Sequence, residues 1–292
     1  LNILISYRGA PLIRGWETGA MIANACRDLG HVVDEYGTIY QTQDYINNFN
    51  LPISKNYDLF IYCEMNDPEP QYLALKNINA KKKVGWFFDS EMIGDKYKNL
   101  IDYFKFDYVF LANPDTVNYF YNLGYQNIGF LPYAADDTLH YRPVSFPKKY
   151  DFALVGSDRP ERQKFISDLQ SEGLNAHLIS GVFREEYIDT LAASKVVIND
   201  EAGGGQSLRS MRYYEARCAG AVLLTPGISM TKTDKFDLGV FTYENFDDLV
   251  RLCRSSLQSN LEGVAQLGQN SVLKHDTYIN RAKRILEVAE TS

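Results

Sequence analysis

The chain has 292 residues, with 37 acidic and 30 basic side chains and a formal net charge of −7. Its 45% hydrophobic and 23% charged content excludes a disordered tail, a collagen-like fibre and a disulfide mini-protein. The acidic balance argues against wholesale electrostatic binding of nucleic acid or anionic lipid, though not against a local basic site, and the length predicts two domains or one large one.

Leu1–Tyr7 reads as a strand. It is too short to span a membrane, which takes ~20 apolar residues, and no charged segment precedes it, so neither a signal peptide nor a span is expected. A helix over 17–31 follows, with Met21, Ile22, Ala25 and Leu29 on one face and Gly30 ending it. Further strands are predicted at 31–37, 57–64, 82–90 and 106–113, and a helix at 114–125. Strand followed by helix, repeated, means a parallel sheet flanked by helices. Pro143, Pro147, Lys148 and Lys149 read as a domain linker. The alternation then restarts, with strands at 150–157, 175–180, 195–200, 221–225 and 238–243. Helices are predicted at 161–173, 184–194, 207–220 and 245–258, and a terminal one from about 277 to 290.

The expected fold class is therefore α/β, with two doubly wound, Rossmann-like domains facing a cleft. The domains are placed at 1–145 and 146–275, with a terminal helix over 276–292 returning toward the first. Ligands in such sheets bind beyond the carboxyl ends of the strands.

Several common signatures are missing. Gly9, Gly15 and Gly19 do not have the G-x-G-x-x-G spacing, and there is neither a P-loop nor a D-x-D triplet. The cysteines (Cys26, Cys63, Cys218, Cys253) lie apart in apolar runs, which reads as reduced core thiols and a cytoplasmic setting. The histidines (His31, His140, His177, His275) are dispersed as well, so no metal cluster and no resident cofactor are expected.

Two stretches carry chemistry. In Asn199–Thr225, the glycines Gly203, Gly204 and Gly205 leave a strand and lead into a helix predicted to be capped by Ser207. A helix N-terminus there, with Arg209 and Arg212 following, is an anion site. Glu215 lies near the same face, where its carboxylate can accept ribose hydroxyls. In Ala153–Phe165, a strand ends at Gly156-Ser157 beside Arg159 and Arg162, which can face a diphosphate.

These stretches, together with "VGWFFDS" (84–90), "LPYAADDTLHYRP" (131–143), "MRYYEARCAGAVLLT" (211–225) and "HDTYINRAKRIL" (275–286), resemble glycosyltransferases of the GT-B architecture. The chain is most similar to the spore-maturation CgeB-like group with its group 1 glycosyltransferase C-terminal half. The resemblance implies transfer of a sugar from a nucleotide-diphosphate sugar, UDP sugars among them, to an acceptor. It implies that the C-terminal domain holds the donor, with Glu215 on the ribose and Gly156, Ser157 and Arg162 near the diphosphate. Many retaining relatives carry a Glu-x7-Glu pair; here Ser207 stands at its first position.

On the acceptor side, Asp89 ends the "GWFFDS" strand beside Trp86, Phe87 and Phe88, which can desolvate it toward a general base. It can equally cap the next helix. Glu17 is a second candidate base, and Arg8 and Trp16 are placed at the acceptor or diphosphate. A saccharide or glycosylated surface protein is the favoured acceptor and a modified DNA base the minor one. A nucleotide-sugar epimerase or a non-catalytic binding protein of the same architecture are the alternatives. With no D-x-D, the arginines would replace a metal in stabilising the leaving nucleotide.

Overall fold

The computed structural model describes residues 1–7, 16–37, 55–63, 74–88, 94–200, 210–227 and 238–291. Its chain divides into two compact units, one of Leu1–Pro132 with Tyr278–Ser292 and one of Tyr133–Thr277.

The first unit holds a six-stranded parallel sheet of β1 (Asn2–Ser6), β2 (Val32–Tyr36), β3 (Asn56–Cys63), β4 (Asn79–Phe87), β5 (Tyr108–Leu111) and β6 (Ile128–Phe130). The spatial order is β2-β1-β3-β4-β5-β6. Central parallel strands are covered on both faces, so they are apolar throughout rather than alternating. Ile3, Leu4 and Ile5 of β1 and Leu59–Cys63 of β3 are accordingly all buried. Helices α1 (Thr18–Asp28), α2 (Gly94–Phe104) and α3 (Pro114–Asn122) follow strands β1, β4 and β5. Helix α3 is started by Pro114 and by the Asn113 side chain, which accepts from Asp115 N. Gly30, at φ +86°, follows α1, where a side chain would be strained.

The core of this unit accounts for much of the aromatic content. Tyr62, Phe87, Phe104 and Phe106 pack with ring centroids 4.8 to 5.9 Å apart. Trp86 is fully buried and its Nε1 donates to Leu131 O at 2.9 Å. The terminal helix, Tyr278–Thr291, belongs here: it buries Ala282 and Ile285, and Arg281 Nε donates to Pro132 O at 3.0 Å. Tyr7 OH and Arg27 both donate to Glu35, whose side chain is only 3% exposed, so this buried charge is paired.

The second unit holds a five-stranded parallel sheet of β7 (Tyr150–Val155), β8 (Ala176–Ile179), β9 (Ser194–Ile198), β10 (Val222–Pro226) and β11 (Val240–Tyr243), ordered β11-β10-β9-β7-β8. Its helices are α4 (Pro160–Ser171), α5 (Arg184–Ala192), α6 (Met211–Cys218), α7 (Phe246–Ser256) and α8 (Leu261–His275). The chain runs outward from β7 to β8 and returns to β9 on the other side of β7. That reversal is a topological switch point, where a crevice opens beyond the strand ends.

Two features differ from the sequence reading. The segment 133–149 packs with the second unit instead of linking two domains at 145/146. Val144 is buried in that unit's core, and Lys148 Nζ donates to Ala192 O at 2.7 Å and Gly220 O at 2.8 Å. Burial of this ammonium lowers its pKa to about 8. Pro143 and Pro147 thus stiffen an ordered strap. Helix α8 was not anticipated, because Gly263 and Gly268 interrupt its apolar pattern. Among the described residues no helix is long and apolar enough to cross a membrane, and all four cysteines are buried free thiols.

Gly268 makes a prediction. A Cβ there would sit 2.8 Å from the Cα of Gly239, a backbone contact that cannot be relieved by rotating a side chain. Alanine in a helix is normally better than glycine by ~1 kcal/mol, but overpacking costs ~1–3 kcal/mol. Gly268→Ala should therefore lower stability by about 1–2 kcal/mol net, read as a lower urea midpoint. A raised midpoint would contradict this packing.

Candidate functional site

The carboxyl ends of β7 and β9 flank the switch point of the second unit. Gly156 continues β7, with its N–H donating to Ile179 O at 2.9 Å. Pro160 then opens α4, which places Arg162 in the first turn, 6% exposed. Arg162 Nη1 donates to Ser157 O (3.0 Å) and Ser157 Oγ (2.8 Å), and its Nε donates to Asp200 Oδ2 at 2.6 Å. Arg212, in the first turn of α6, donates from Nη1 to Asn199 Oδ1 at 2.6 Å and lies 3.8 Å from Asp200 Oδ1. A Cβ on Gly156 would be 2.9 Å from Arg162 Nη1 and 2.9 Å from Arg212 Nη2. Glycine leaves to the two guanidinium groups the space a side chain would take.

Asn199 fixes this end of the sheet. It is fully buried, its Nδ2 donates to Thr225 Oγ1 at 3.3 Å, and its O accepts from Tyr243 OH at 2.9 Å. Neighbouring strands β9, β10 and β11 and helix α6 are thereby tied to one residue.

One turn along α6 from Arg212 sits Glu215, buried at 5% exposure. Tyr187 OH of α5 donates to Glu215 Oε2 at 2.8 Å, and His140 Nε2 faces Oε1 at 3.8 Å. Burial, and then the charge of Glu215, push the Tyr187 phenol well above its ordinary range, so it stays a hydroxyl donor. The imidazole of His140 is held below its ordinary 6.5, by burial first; Glu215 pulls the other way, and Arg142 adds to the lowering. Two guanidiniums beside one carboxylate can grip an anion and, next to it, accept hydroxyl protons.

Of the residues proposed from sequence, Gly156, Ser157, Arg162, Arg212 and Glu215 come together in this unit. Arg159 is exposed at the N-cap of α4. Helix α6 begins at Met211 with Ser210 as N-cap, which puts Arg212 in the first turn. Gly204, Gly205 and Ser207 lie outside the described residues, as do Arg8 and Asp89. Trp86, Phe87 and Phe88, expected to desolvate Asp89, are fully buried core residues. In the first unit Trp16 is half-buried and Glu17 is the exposed N-cap of α1. Among the described residues no group of three or more His, Cys, Asp and Glu side chains is placed to hold a metal. His140, Tyr187, Asn199 and Asp200 were not singled out. The Asn-Asp pair closing an apolar strand was a readable signal; His140 and Tyr187 reach Glu215 only through the fold.

A family model described as glycosyl transferase-like matches residues 140–287, just over half of the chain. The chain belongs to the glycosyl transferase-like family. Nothing among the curated proteins matches it. An α-glucosyltransferase solved with UDP and a 13-mer DNA containing an HMU base is similar, with a TM-score of 0.72 at 10% identity over 99% of both chains. HepE of Anabaena, solved with UDP-glucose, has a TM-score of 0.63 at 12% identity, over 99% of this chain and 98% of its own. AviGT4, a glycosyltransferase involved in avilamycin A biosynthesis, has a TM-score of 0.63 at 12% identity, over 99% of this chain and 97% of its own. The likeness is one of fold, and the fold of this glycosyl transferase-like chain is GT-B, with two Rossmann-like parallel sheets.

The buried imidazole sets a pH dependence. The pKa of His140 in the folded protein is below its ordinary value of 6.5, so the unfolded chain takes up the proton first as pH falls. Its contribution is complete above about pH 6.5 and is lost as pH falls below that value. Urea titrations should show stability dropping from pH 7 to pH 5, with a shallower drop in His140→Asn. Equal slopes in the two proteins would place the acid sensitivity elsewhere.

Proposed function

We propose that this chain is a glycosyltransferase that moves a sugar from a nucleoside-diphosphate sugar, a UDP sugar in first place, to an acceptor hydroxyl. The observation that carries the reading is the convergence of Arg162 and Arg212 over Gly156, one helical turn from the buried carboxylate of Glu215. As the glycosidic bond breaks, negative charge grows on the leaving diphosphate. The two guanidiniums are already held in place by Asp200, Asn199 and Ser157, so they can stabilise that charge without reorganising. Glu215 accepts the ribose hydroxyls. Charge stabilisation by arginine supports a metal-independent reaction. Asp89 and Glu17 are the candidates for the base that takes the acceptor proton, with Arg8 and Trp16 as acceptor contacts. The motifs at 211–225 and 275–286 support the finer placement in the CgeB-like group, and the buried free thiols suit a cytoplasmic setting.

A saccharide or glycosylated surface protein is the favoured acceptor. The neighbour solved with HMU-containing DNA supports a second reading, a modified DNA base. The basic run at 81–83 gives that reading little help, because its charges are engaged locally. Lys81 pairs with Asp58, Lys82 lies 3.7 Å from Asp107, and Lys83 Nζ donates to Lys76 O. Duplex DNA binding that weakens steeply with salt would favour it.

The deciding experiment is turnover across nucleotide sugars, with and without acceptor, in EDTA. Donor hydrolysis or transfer should persist; complete loss restored by Mn²⁺ would end the metal-free scheme. Release of nucleotide and an altered free sugar would point to an epimerase instead. A hydrogen bond to a charged group is worth about 1.5–3 kcal/mol, so Glu215→Ala should weaken UDP binding at least about tenfold by calorimetry. Unchanged affinity would remove Glu215 from the site.

Gly156→Ala separates site geometry from stability. The atoms it would displace are the ends of long side chains, so stability should change by less than about 1 kcal/mol. Both guanidiniums would move, however, and UDP affinity should fall about tenfold or more. Retained affinity would show that the diphosphate does not sit over Gly156.

A further inference from the structure

We infer that His140 is a positioning residue for nucleotide binding, its Nε2–H orienting the Glu215 carboxylate that receives the ribose. The inference rests on the reading of Glu215 given above and adds a residue to it.

The tautomer follows from the backbone. Asp136 N donates to His140 Nδ1 at 3.0 Å. A peptide N–H can only donate, so Nδ1 carries a lone pair and the neutral ring has its proton on Nε2. That N–H faces Glu215 Oε1 at 3.8 Å while Tyr187 OH occupies Oε2. Among the described residues Tyr187 is the hydrogen-bond donor to Glu215, and one bond at Oε2 does not by itself fix the rotation of the carboxylate. A second N–H dipole 3.8 Å from Oε1 resists that rotation. At 3.8 Å it is too far to be a hydrogen bond, so Oε1 keeps its lone pairs for a ligand hydroxyl. The interaction is electrostatic and takes place between side chains that are 1% and 7% exposed, where solvent screens little.

The ring is itself fixed from behind. Asp136 Oδ1 accepts from Thr138 N at 2.9 Å and Leu139 N at 2.8 Å, and His140 N donates to Asp136 O at 3.0 Å. This tight turn delivers the imidazole to Glu215 from a segment far away in sequence. The ring does not need to touch the nucleotide to affect it.

Two substitutions divide the imidazole into its halves. In His140→Asn the amide oxygen stands near Nδ1 and keeps the Asp136 N–H satisfied, with nothing at Nε2. In His140→Gln the amide nitrogen stands near Nε2 and offers an N–H to Glu215, with the Nδ1 acceptor lost. Calorimetry with UDP and with 2′,3′-dideoxy-UDP reads affinity and dependence on the ribose hydroxyls separately. Wild type should prefer UDP. His140→Asn should lose about tenfold in UDP affinity and most of that preference, and His140→Gln should keep the preference within about threefold. A merely structural histidine predicts the reverse order, because Asn preserves the turn. Retained preference in His140→Asn, or equal loss in both variants, would overturn the inference alone. A wild-type chain that binds no nucleoside diphosphate would overturn the reading of Glu215 and this inference with it. Should either variant fail to fold, imidazole ¹⁵N spectra of the wild-type protein still decide: a neutral ring protonated at Nε2 is expected, and one protonated at Nδ1 would overturn the inference.

Discussion

Arg162 and Arg212 point at the same small volume above Gly156, and their mutual repulsion is the constraint around which the second unit's polar interior is built. Each guanidinium has a nitrogen 2.9 Å from the place of a Cβ on Gly156, and two positive charges that close repel even at an effective dielectric of about 20. Asp200 answers it, with Oδ2 on Arg162 at 2.6 Å and Oδ1 3.8 Å from Arg212. Asp200 is therefore needed at the end of β9, where the strand order reverses beside β7. Asn199, one residue earlier, gives Arg212 a neutral acceptor and is itself held by Thr225 and Tyr243. Removing one member of such a network leaves an uncompensated buried charge, which costs about 3–5 kcal/mol.

The same requirement reaches Glu215. A buried carboxylate on the same helix as Arg212 is tolerable only if its own neighbours are hydrogen-bond donors or cations. Tyr187 and His140 meet it in a particular way. Burial keeps the phenol protonated and the imidazole uncharged, so both offer hydrogen without adding charge to a region that already holds two guanidiniums and a carboxylate. A lysine in place of either would pair with Glu215 and compete with any hydroxyl for it. Neutral donors orient the carboxylate and leave its charge available.

Much of the fold could be read from sequence because parallel strands buried on both faces become continuous apolar runs. "YDLFIYC", "DFALV" and "KVVI" are examples, and each is a strand in the structure. The strand end at Gly156-Ser157 and the helix after the glycine run also brought out Gly156, Arg162 and Glu215, since glycine lets a ligand approach the backbone and arginine can face an anion there. Other features depended on tertiary contacts. Helix α8 carries Gly268 because its backbone meets Gly239, a long-range reason that reads locally as a helix breaker. Helix α6 starts after Ser210, whereas the sequence reading puts its cap at Ser207, which lies outside the described residues. Pro143 and Pro147 suggested a linker because proline marks both flexible connections and rigid straps. Only the anchoring of Lys148 on Ala192 and Gly220 tells the two apart.

Net charge is a poor guide to what such a chain binds, and the reason lies in where each cation is engaged. The total of −7 coexists with two separate sets of positive charge. Lys81, Lys82 and Lys83 form the densest basic run, yet carboxylates and a carbonyl engage them along the interior strand β4. Arg162 and Arg212 are far from each other in sequence, yet they converge. A lysine could not replace Arg162. Its guanidinium reaches Ser157 O, Ser157 Oγ and Asp200 Oδ2 at once, through a rigid fork that fixes the direction of the charge. An ammonium is a point charge on a flexible stem and would settle on Asp200 alone. The acidic excess therefore describes the chain as a whole, while the strand ends of the second unit offer an oriented cationic surface that the total conceals.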